Sequence, residues 1–262
     1  TELSNDVALN PELFARVKAV YEGSRRGLSD IDIKLLEDSY KSFSRSGAAL
    51  PDDKKEEYRK YTSELSEATL IFGQNALAAT NAFSINITNP AQVAELPDFV
   101  KDGLAAEAKA RGEKGWTVTL KAPSYVPFMT YSSQRDLKEQ LYKAYNSRAK
   151  GGEFDNTPII HKIVELRMKI AKLLGFENHA DYVLAERMAE NIPTVNDFLE
   201  ELRDATVKYA KKDYKMINKY AKSQGFKGDV MPWDWAYYTE KVRVAKYALD
   251  EEQTKPYFQM EN

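Results

Sequence analysis

Apolar residues recur at steps of three and four along most of this chain, and that spacing places their side chains on one face of an α-helix. Two such segments continue for about thirty residues without a helix breaker, one after Pro51 and one that Thr194 and Asp197 are expected to start. The first stripe is Tyr58, Tyr61, Leu65, Ala68 and Phe72, and the second is Phe198, Leu202, Ala205, Tyr209, Met216 and Tyr220. The pattern predicts two long amphipathic helices.

Shorter helices are predicted where capping residues stand before an apolar stripe. A serine can accept a hydrogen bond from the first turn, and an acid three residues later completes a capping box. Ser29 with Asp32 and Ser133 with Asp136 have that spacing. The shorter helices predicted from such end signals lie at about residues 10–23, 29–47, 97–112, 133–151 and 233–249.

A helix, a sharp stop and a second helix are predicted over residues 158–189. Pro158 suits a first helical turn because its missing N–H would have no intrahelical partner there. Gly175 can adopt the left-handed conformation that ends helices, and Phe176 is placed to fold back on the preceding turn. Asn178 can cap the helix that follows. The corner is therefore specified by local sequence.

After the first long helix the hydrophobic period changes to two. Ile85 and Ile87 alternate with polar residues, and a second alternating segment begins at Trp116, which is typical of strands. Pro123 and Pro127 bracket a short segment, and we predict a third, short edge strand directly after it, at residues 128–131. We expect a small antiparallel β-sheet at about residues 83–131.

The whole pattern indicates a mainly α protein, a multi-helix bundle with that small antiparallel sheet. The chain has no repeat at solenoid periods and no flexible linker. We therefore expect one helical unit over residues 1–262, with helices in 1–82, the sheet and one helix in 83–132, and helices again in 133–262.

Charge and composition limit the classes of partner that this chain is expected to bind. Thirty-eight basic and forty acidic residues give a formal net charge of −2, so no net field favours nucleic acid or anionic lipid, and we expect neither partner. The absence of cysteine excludes disulfides and thiolate metal sites. No apolar run approaches the roughly 20 residues of a membrane-spanning helix. We expect a soluble protein, of a cytoplasm or a periplasm.

Histidine spacing argues against a metal centre in this sequence. A zinc peptidase of the HExxH class needs two histidines one helical turn apart, so that both imidazoles reach one metal. His161 and His179 are the two histidines, and neither has a second histidine four residues away. A metal site would need both to converge with a carboxylate such as Asp181. We predict no metal ligand and no catalytic residue in this chain.

An aromatic cluster supplies the candidates for ligand binding. Rings with one polar edge can both pack and form hydrogen bonds, so the cluster can line a cleft for a substrate. The alternative, which we favour, is packing between helices. The candidate substrate-binding residues are Trp233, Trp235, Tyr237 and Tyr238.

Lysines recur on one face of the second long helix. They have no neighbouring stacking aromatics apart from tyrosines at stripe positions, so we interpret this face as solvated rather than as a nucleic-acid surface. The five are Lys208, Lys211, Lys212, Lys215 and Lys219.

Several sequence blocks, in this order and spacing, resemble the peptidyl-dipeptidase (dipeptidyl carboxypeptidase) branch of the thimet oligopeptidase family. They cover almost the whole chain. The blocks are NPELFARVKAVY, residues 65–88, WTVTLKAPSYVPFMTYSSQRDLKEQLYKAYNSRA, the pair Asp155 and Asn156, LLGFENHADYVLAERMA, and PWDWAYYTEKVRVAKYALDEEQTKPYF.

The resemblance implies a largely helical zinc metallopeptidase whose two lobes enclose a channel for short peptides. In that family the HExxH helix follows the PYF segment, and this chain ends four residues beyond Phe258. The resemblance therefore implies a fragment of a longer polypeptide, without its catalytic lobe and without bound zinc or any other cofactor of its own. The parent would remove dipeptides from peptide C-termini, and this segment would form part of the channel wall and be inactive alone.

Two other interpretations remain open at this stage. The residues themselves describe a helical protein without its own active site, so a non-enzymatic helical binding or scaffolding module is the alternative from another class. A third interpretation is that the isolated chain exposes apolar surface and self-associates through it.

Overall fold

The computed structural model describes residues 2–248 and Tyr257. Leu249, where the last helix is predicted to end, lies outside the described residues. The described chain is 71% helical, which confirms the mainly α fold. None of its described helices is long and apolar enough to cross a membrane.

Eleven α-helices and two strands account for the regular structure of the described residues. The first helices are α1 Glu2–Ala8, α2 Pro11–Tyr21, α3 Asp30–Arg45 and α4 Asp52–Ala82. They are followed by β1 Ser84–Ile87, a 3-10 turn Pro90–Gln92, α5 Asp98–Ala110, β2 Trp116–Thr119, α6 Ala122–Tyr131 and α7 Arg135–Asn146. The last helices are α8 Thr157–Leu173, α9 His179–Leu184, α10 Ile192–Ser223 and α11 Pro232–Tyr247.

The chain forms two compact units, and each is described here by itself. The first unit comprises Thr1–Asn75 and Asp155–Leu199, and the second comprises Ala76–Phe154 and Glu200–Asn262. The organisation of residues 1–262 as one helical unit stays a prediction.

In the first unit, a small apolar cluster joins the long helix α4 to α8. Its buried members are Leu9, Tyr58 and Ile170. Aromatic rings pack α2 on α3, with the centroids of Tyr21 and Tyr40 3.9 Å apart and nearly parallel. The predicted capping box of α3 is confirmed, because the Ser29 side chain accepts from the Asp32 N–H and the Asp32 carboxylate accepts from the Ser29 N–H.

The predicted helix stop and restart is present in the same unit. Gly175 has φ +84°, and the Phe176 N–H donates to the Ala171 carbonyl at 2.9 Å, which closes the end of α8. The Asn178 side chain accepts from the Asp181 N–H at 3.0 Å and caps α9, whose first residue is His179. The second helix is six residues long, shorter than the predicted span that extended to residue 189.

The second unit is built round the sheet. Strands β1 and β2 pair antiparallel, with Ile87 opposite Trp116. The sheet and α5, α6 and α7 enclose the core, in which Val118, Phe128 and Leu141 have no exposed surface. Gly115, just before β2, has φ +88°, and a Cβ there would lie 2.2 Å from the Ile87 carbonyl oxygen. Only glycine fits this close approach.

The prediction of a third strand at residues 128–131 is wrong, because these residues end helix α6. Phe128 and its neighbour Met129 are both buried. Adjacent residues of a strand point to opposite faces, whereas adjacent residues of a helix can share one. The Thr130 hydroxyl donates to the Val126 carbonyl four residues back, which is helical geometry. Burial of Phe128 and Met129 in the core therefore outweighs the tendency of Pro127 to interrupt a helix.

Two predicted helix starts are also wrong. Ser133 does not cap α7; its N–H donates to the Glu95 carboxylate instead, and α7 begins at Arg135. A tertiary carboxylate has replaced the local capping partner. Helix α10 begins at Ile192, two residues before Thr194, because the Asn191 side chain accepts from the Thr194 N–H at 2.9 Å.

Candidate functional site

Helix α11 carries the four aromatic candidates and lies in the second unit. Trp233, near its start, packs against the core of that unit, with its ring centroid 6.0 Å from that of Tyr142. The indole Nε1 of Trp233 is buried and has no hydrogen-bond partner among the described residues. Tyr238 packs beside Phe226 at 5.4 Å, in a separate apolar cluster with Ile217. Both side chains therefore pack between helices.

Of the other two candidates, Trp235 is exposed and Tyr237 is half-buried. Trp235 is 37% exposed and stacks on Tyr214 of α10, with centroids 6.3 Å apart. Tyr237 meets Tyr238 edge to face at 5.2 Å. Tyr237 and Tyr238 thus contact each other, whereas the rings of Trp233 and Trp235 lie against other tyrosines. The role of the four candidates in substrate binding stays a prediction.

A buried ion pair holds the start of α11 against α7. The Arg135 guanidinium donates to both carboxylate oxygens of Asp234, with Nε 3.0 Å from Oδ1 and Nη2 3.1 Å from Oδ2. The Asp234 side chain is 2% exposed, and its Oδ2 also accepts from the Met231 N–H at 3.0 Å. Arg135 lies 5.5 Å from the ring centroids of both Phe226 and Trp233. These contacts fix the guanidinium in one position.

A lysine is buried next to this pair. Lys138 is 2% exposed, and its Nζ lies 4.2 Å from the ring centroid of Tyr237. Burial lowers the pKa of Lys138 to about 8, partly offset by the negative charges of Asp234 and Glu95. Burial and Glu95 also raise the pKa of Tyr237. The cluster therefore has two groups whose neutral forms are favoured by desolvation.

Sequence reasoning missed Arg135, Lys138 and Asp234. Lys138 stands beside the apolar position Leu137 and three residues before the buried Leu141, which is the one local indication that its stem lies at the core face. Nothing in the local sequence pairs Arg135 with a residue 99 positions later. The arrangement contains an ion pair and a desolvated amine, and we assign it to positioning α11.

The two histidines do not form a metal centre with other described residues. His161 is exposed on α8. His179 has a buried Nδ1 with no hydrogen-bond partner in the described part of the chain, and burial and the nearby Arg167 charge lower its pKa. In residues 2–248 and Tyr257, no group of three histidine, aspartate or glutamate side chains is arranged to hold a metal ion. The described residues therefore do not fit a zinc site.

The Asp155 and Asn156 pair has a structural position in the first unit. Asn156 is buried; its Nδ2 donates to the Phe72 carbonyl, and its Oδ1 accepts from Asn75, both at 3.0 Å. Asp155 accepts from the Thr157 N–H at 2.9 Å at the start of α8. The pair thus joins α4 to the beginning of α8.

Arg45 of α3 holds the corner after Gly175 in the same unit. Its guanidinium donates to the Tyr182 carbonyl at 2.6 Å and lies 4.4 Å from the Tyr182 ring centroid and 5.6 Å from that of Phe176. Lys41 adds an ion pair to Glu186 at 2.7 Å. The corner block is therefore fixed to α3 by an arginine that the sequence alone did not single out.

Comparisons with known proteins place this chain in a peptidase family. The family model described as "Peptidase family M3" matches residues 128–262. The chain is 34% identical to Oligopeptidase A of Salmonella typhimurium over 98% of its length, and 33% identical to Dipeptidyl carboxypeptidase of Escherichia coli over 99%. It is 25% identical to Saccharolysin of Saccharomyces cerevisiae over 99% of its length.

The chain spans about two fifths of each relative, 39% of the Salmonella protein and 38% of the Escherichia coli protein. The matches run through all the blocks on which the resemblance was based. With more than half of the chain matched by the family model, the protein belongs to peptidase family M3.

Proposed function

We propose that this chain is part of a zinc metallopeptidase that removes dipeptides from the C-termini of short peptides, and that it contributes a wall of the channel that admits them. The observation that carries the proposal is the similarity to a protein named Dipeptidyl carboxypeptidase over 99% of this chain, within peptidase family M3. The largely helical secondary structure is consistent with a wall, since long helices present extended rigid faces.

We propose that the parent enzyme binds zinc, but not through residues of this chain. The described residues do not fit a zinc site, and the sequence has no HExxH motif. We therefore assign the metal and its ligands to another part of the parent polypeptide, and that catalytic part is the first partner we propose for this chain. The 262-residue chain alone is expected to be inactive.

Short peptides are the second proposed partner. Among the four aromatic candidates on α11, Trp235 is exposed, whereas Trp233, Tyr237 and Tyr238 are half-buried. An exposed ring can stack on a peptide side chain while its polar edge forms a hydrogen bond. We keep Trp233 and Tyr238 as candidates of lower rank, because their rings already pack in apolar clusters.

One experiment tests the dipeptide specificity on the full-length parent protein. An N-blocked pentapeptide with a free C-terminal carboxylate and the same peptide with a C-terminal amide are incubated separately, and the products are identified by mass spectrometry. We expect a dipeptide from the free acid and almost no cleavage of the amide. Equal internal cleavage of both peptides would instead indicate an endo-acting oligopeptidase.

A second experiment tests the inactivity of this chain alone. The purified 262-residue chain is analysed for metal content and for peptide hydrolysis with and without a chelator. Stoichiometric zinc together with hydrolysis that the chelator abolishes would contradict the proposal. If the full-length protein also fails to hydrolyse any peptide, the alternative of a helical binding or scaffolding module is favoured.

A further inference from the structure

Helix α10 carries a face of five lysines, here called the basic face: Lys208, Lys211, Lys212, Lys215 and Lys219. All five side chains are exposed. Because an α-helix has 3.6 residues per turn, residues at steps of three and four lie above one another, and these five share one side of the helix. Asp213, the acid within this segment, lies on the opposite side.

The five lysines have no acidic partner among the described residues. The neighbouring Lys222 differs, since it pairs with Asp229 at 3.2 Å. Lys208 and Lys212 both lie over the ring of Tyr209, at 5.1 Å and 5.3 Å from its centroid. Like charges three or four residues apart destabilise a helix. An anionic partner would remove that repulsion, and five lysines within twelve residues form a local positive charge in a chain whose net charge is −2.

A groove of about 420 Å³ lies at the C-terminal end of the basic face. It is lined by Tyr214, Lys215, Asn218, Lys219, Lys222 and Asp229. Its floor is fixed by hydrogen bonds: the buried Asn218 donates to the Tyr214 carbonyl at 3.0 Å and accepts from the Val230 N–H at 2.8 Å. The groove is therefore a formed feature of the second unit, and its rim carries lysine side chains.

We propose that the basic face and its groove bind an acidic stretch of polypeptide in extended conformation. The face from Lys208 to Lys219 is about 16 Å long at 1.5 Å per residue of helix. An extended chain advances about 3.3 Å per residue, so roughly five residues span it. Lysine ammonium groups are mobile point charges that suit carboxylates on a flexible chain.

Other anionic partners fit the observations less well. The basic face has no arginine. Tyr209 already lies under two lysines, and Tyr214 of the groove stacks on Trp235, so the site lacks the arginines and the row of free stacking rings that favour nucleic acid. A flat layer of lipid headgroups cannot enter the groove. The occupant with the best match is therefore an acidic peptide. The inference goes beyond the proposed function, because binding of such a peptide requires no hydrolysis.

Binding of a labelled hexaglutamate peptide to the 262-residue chain tests the inference. The peptide is blocked at both ends, so that neither hydrolysis nor recognition of a terminus is needed, and binding is followed by fluorescence anisotropy. We expect binding that weakens with added salt, and no binding of hexaglutamine. Because exposed charges are screened, the affinity should fall several-fold between about 50 and 200 mM salt.

Charge reversal on the basic face provides the specific variant. Lys212→Glu with Lys215→Glu should weaken binding on the order of tenfold or more, because two attractions become repulsions. The matched control is Lys109→Glu with Lys114→Glu, which reverses two exposed lysines elsewhere in the same unit and should leave binding unchanged. Circular dichroism confirms that both variants are folded, and Lys212→Gln with Lys215→Gln should give an intermediate loss.

Each remaining outcome decides against the inference. Equal loss in both double variants would indicate a general charge effect. Tighter binding of a single-stranded RNA of equal charge, or of vesicles containing phosphatidylserine, would assign the face to another partner. No binding of hexaglutamate at low salt would overturn it outright. Peptidase activity of the full-length protein is measured separately, so failure of the proposed function and failure of this inference are distinguishable.

Discussion

The guanidinium of Arg135 and the carboxylate of Asp234 form a two-pronged ion pair, with Nε and Nη2 3.0 Å and 3.1 Å from the two carboxylate oxygens. The acid is almost fully buried, whereas the Arg135 side chain is 38% exposed. The pair therefore differs from the surface ion pairs of this chain, because removal of the arginine leaves a charge in the interior.

Arg135→Ala should destabilise the second unit by about 3 kcal/mol, the lower end of the range for breaking a buried pair. Among the described residues, Asp234 would then keep one hydrogen bond, from the Met231 N–H, beside the charge of Lys138. The free energy of unfolding is measured by urea denaturation. Lys143→Ala breaks an exposed pair with Glu139 on the same helix and should change stability by less than about 1 kcal/mol. Equal effects of the two substitutions would contradict the assigned role of the buried pair.

The lowered pKa of Lys138 predicts how the free energy of unfolding changes in mildly alkaline solution. Its pKa is about 8 in the folded chain and 10.5 when unperturbed, so between these values the unfolded chain binds more protons and the free energy of unfolding rises with pH. Below pH 8 both states are protonated and the cost of burying the ammonium is fully present. Between pH 8 and about 9.5, wild type should gain on the order of 2 kcal/mol relative to Lys138→Met.

Tyrosines limit the pH range in which this effect is isolated. The pKa of Tyr237 is raised by burial, so its contribution to stability is lost as pH rises above its ordinary value of 10. Denaturation is therefore followed from pH 7 to about 9.5, with Lys138→Met as the reference at every pH. Parallel profiles of wild type and variant would show that the buried amine keeps an unperturbed pKa.

Arg45 should matter for the corner between α8 and α9. Arg45→Lys keeps the charge but loses the planar group that lies over the rings of Phe176 and Tyr182, so we expect a loss of about 1–2 kcal/mol. Hydrogen exchange of the α9 amides measures the local effect. Lys41→Ala removes only a more exposed partner of Glu186 and should change exchange little. Unchanged protection in Arg45→Lys would show that the corner is held without the stacked guanidinium.

Local sequence signals predicted the corner well because its determinants are close together. Gly175 ends α8 and Asn178 caps α9 through bonds to residues three to five positions away. Such contacts depend on backbone geometry that a few residues specify. The long helices were predicted for the same reason, since their stripes repeat a local period.

Burial and distant partners explain what the sequence did not reveal. The prolines before residues 128–131 predict an edge strand there, but the core of the second unit takes both Phe128 and Met129, and adjacent residues share one face in a helix. Ser133 has a capping-box spacing, yet its N–H bonds to Glu95, 38 residues earlier. The partner of Arg45 is 137 residues away. Tertiary contacts determine the local structure at these positions, and the neighbouring residues in the sequence do not indicate those contacts.

Gly115 offers the sharpest test of a backbone requirement in the second unit. Gly115→Ala places a Cβ 2.2 Å from the Ile87 carbonyl oxygen at a residue with φ +88°, so either the strand pair or the turn must move. We expect a loss of about 2–4 kcal/mol from left-handed strain and the clash together. Gly112→Ala is the matched control, because Gly112 has φ +72° and no atom within 4 Å of its added Cβ. It should lose only about 1 kcal/mol. Urea denaturation of both variants separates the left-handed backbone strain from the steric clash. Equal losses in the free energy of unfolding would show that the Ile87 carbonyl moves away from the added Cβ at no cost in stability.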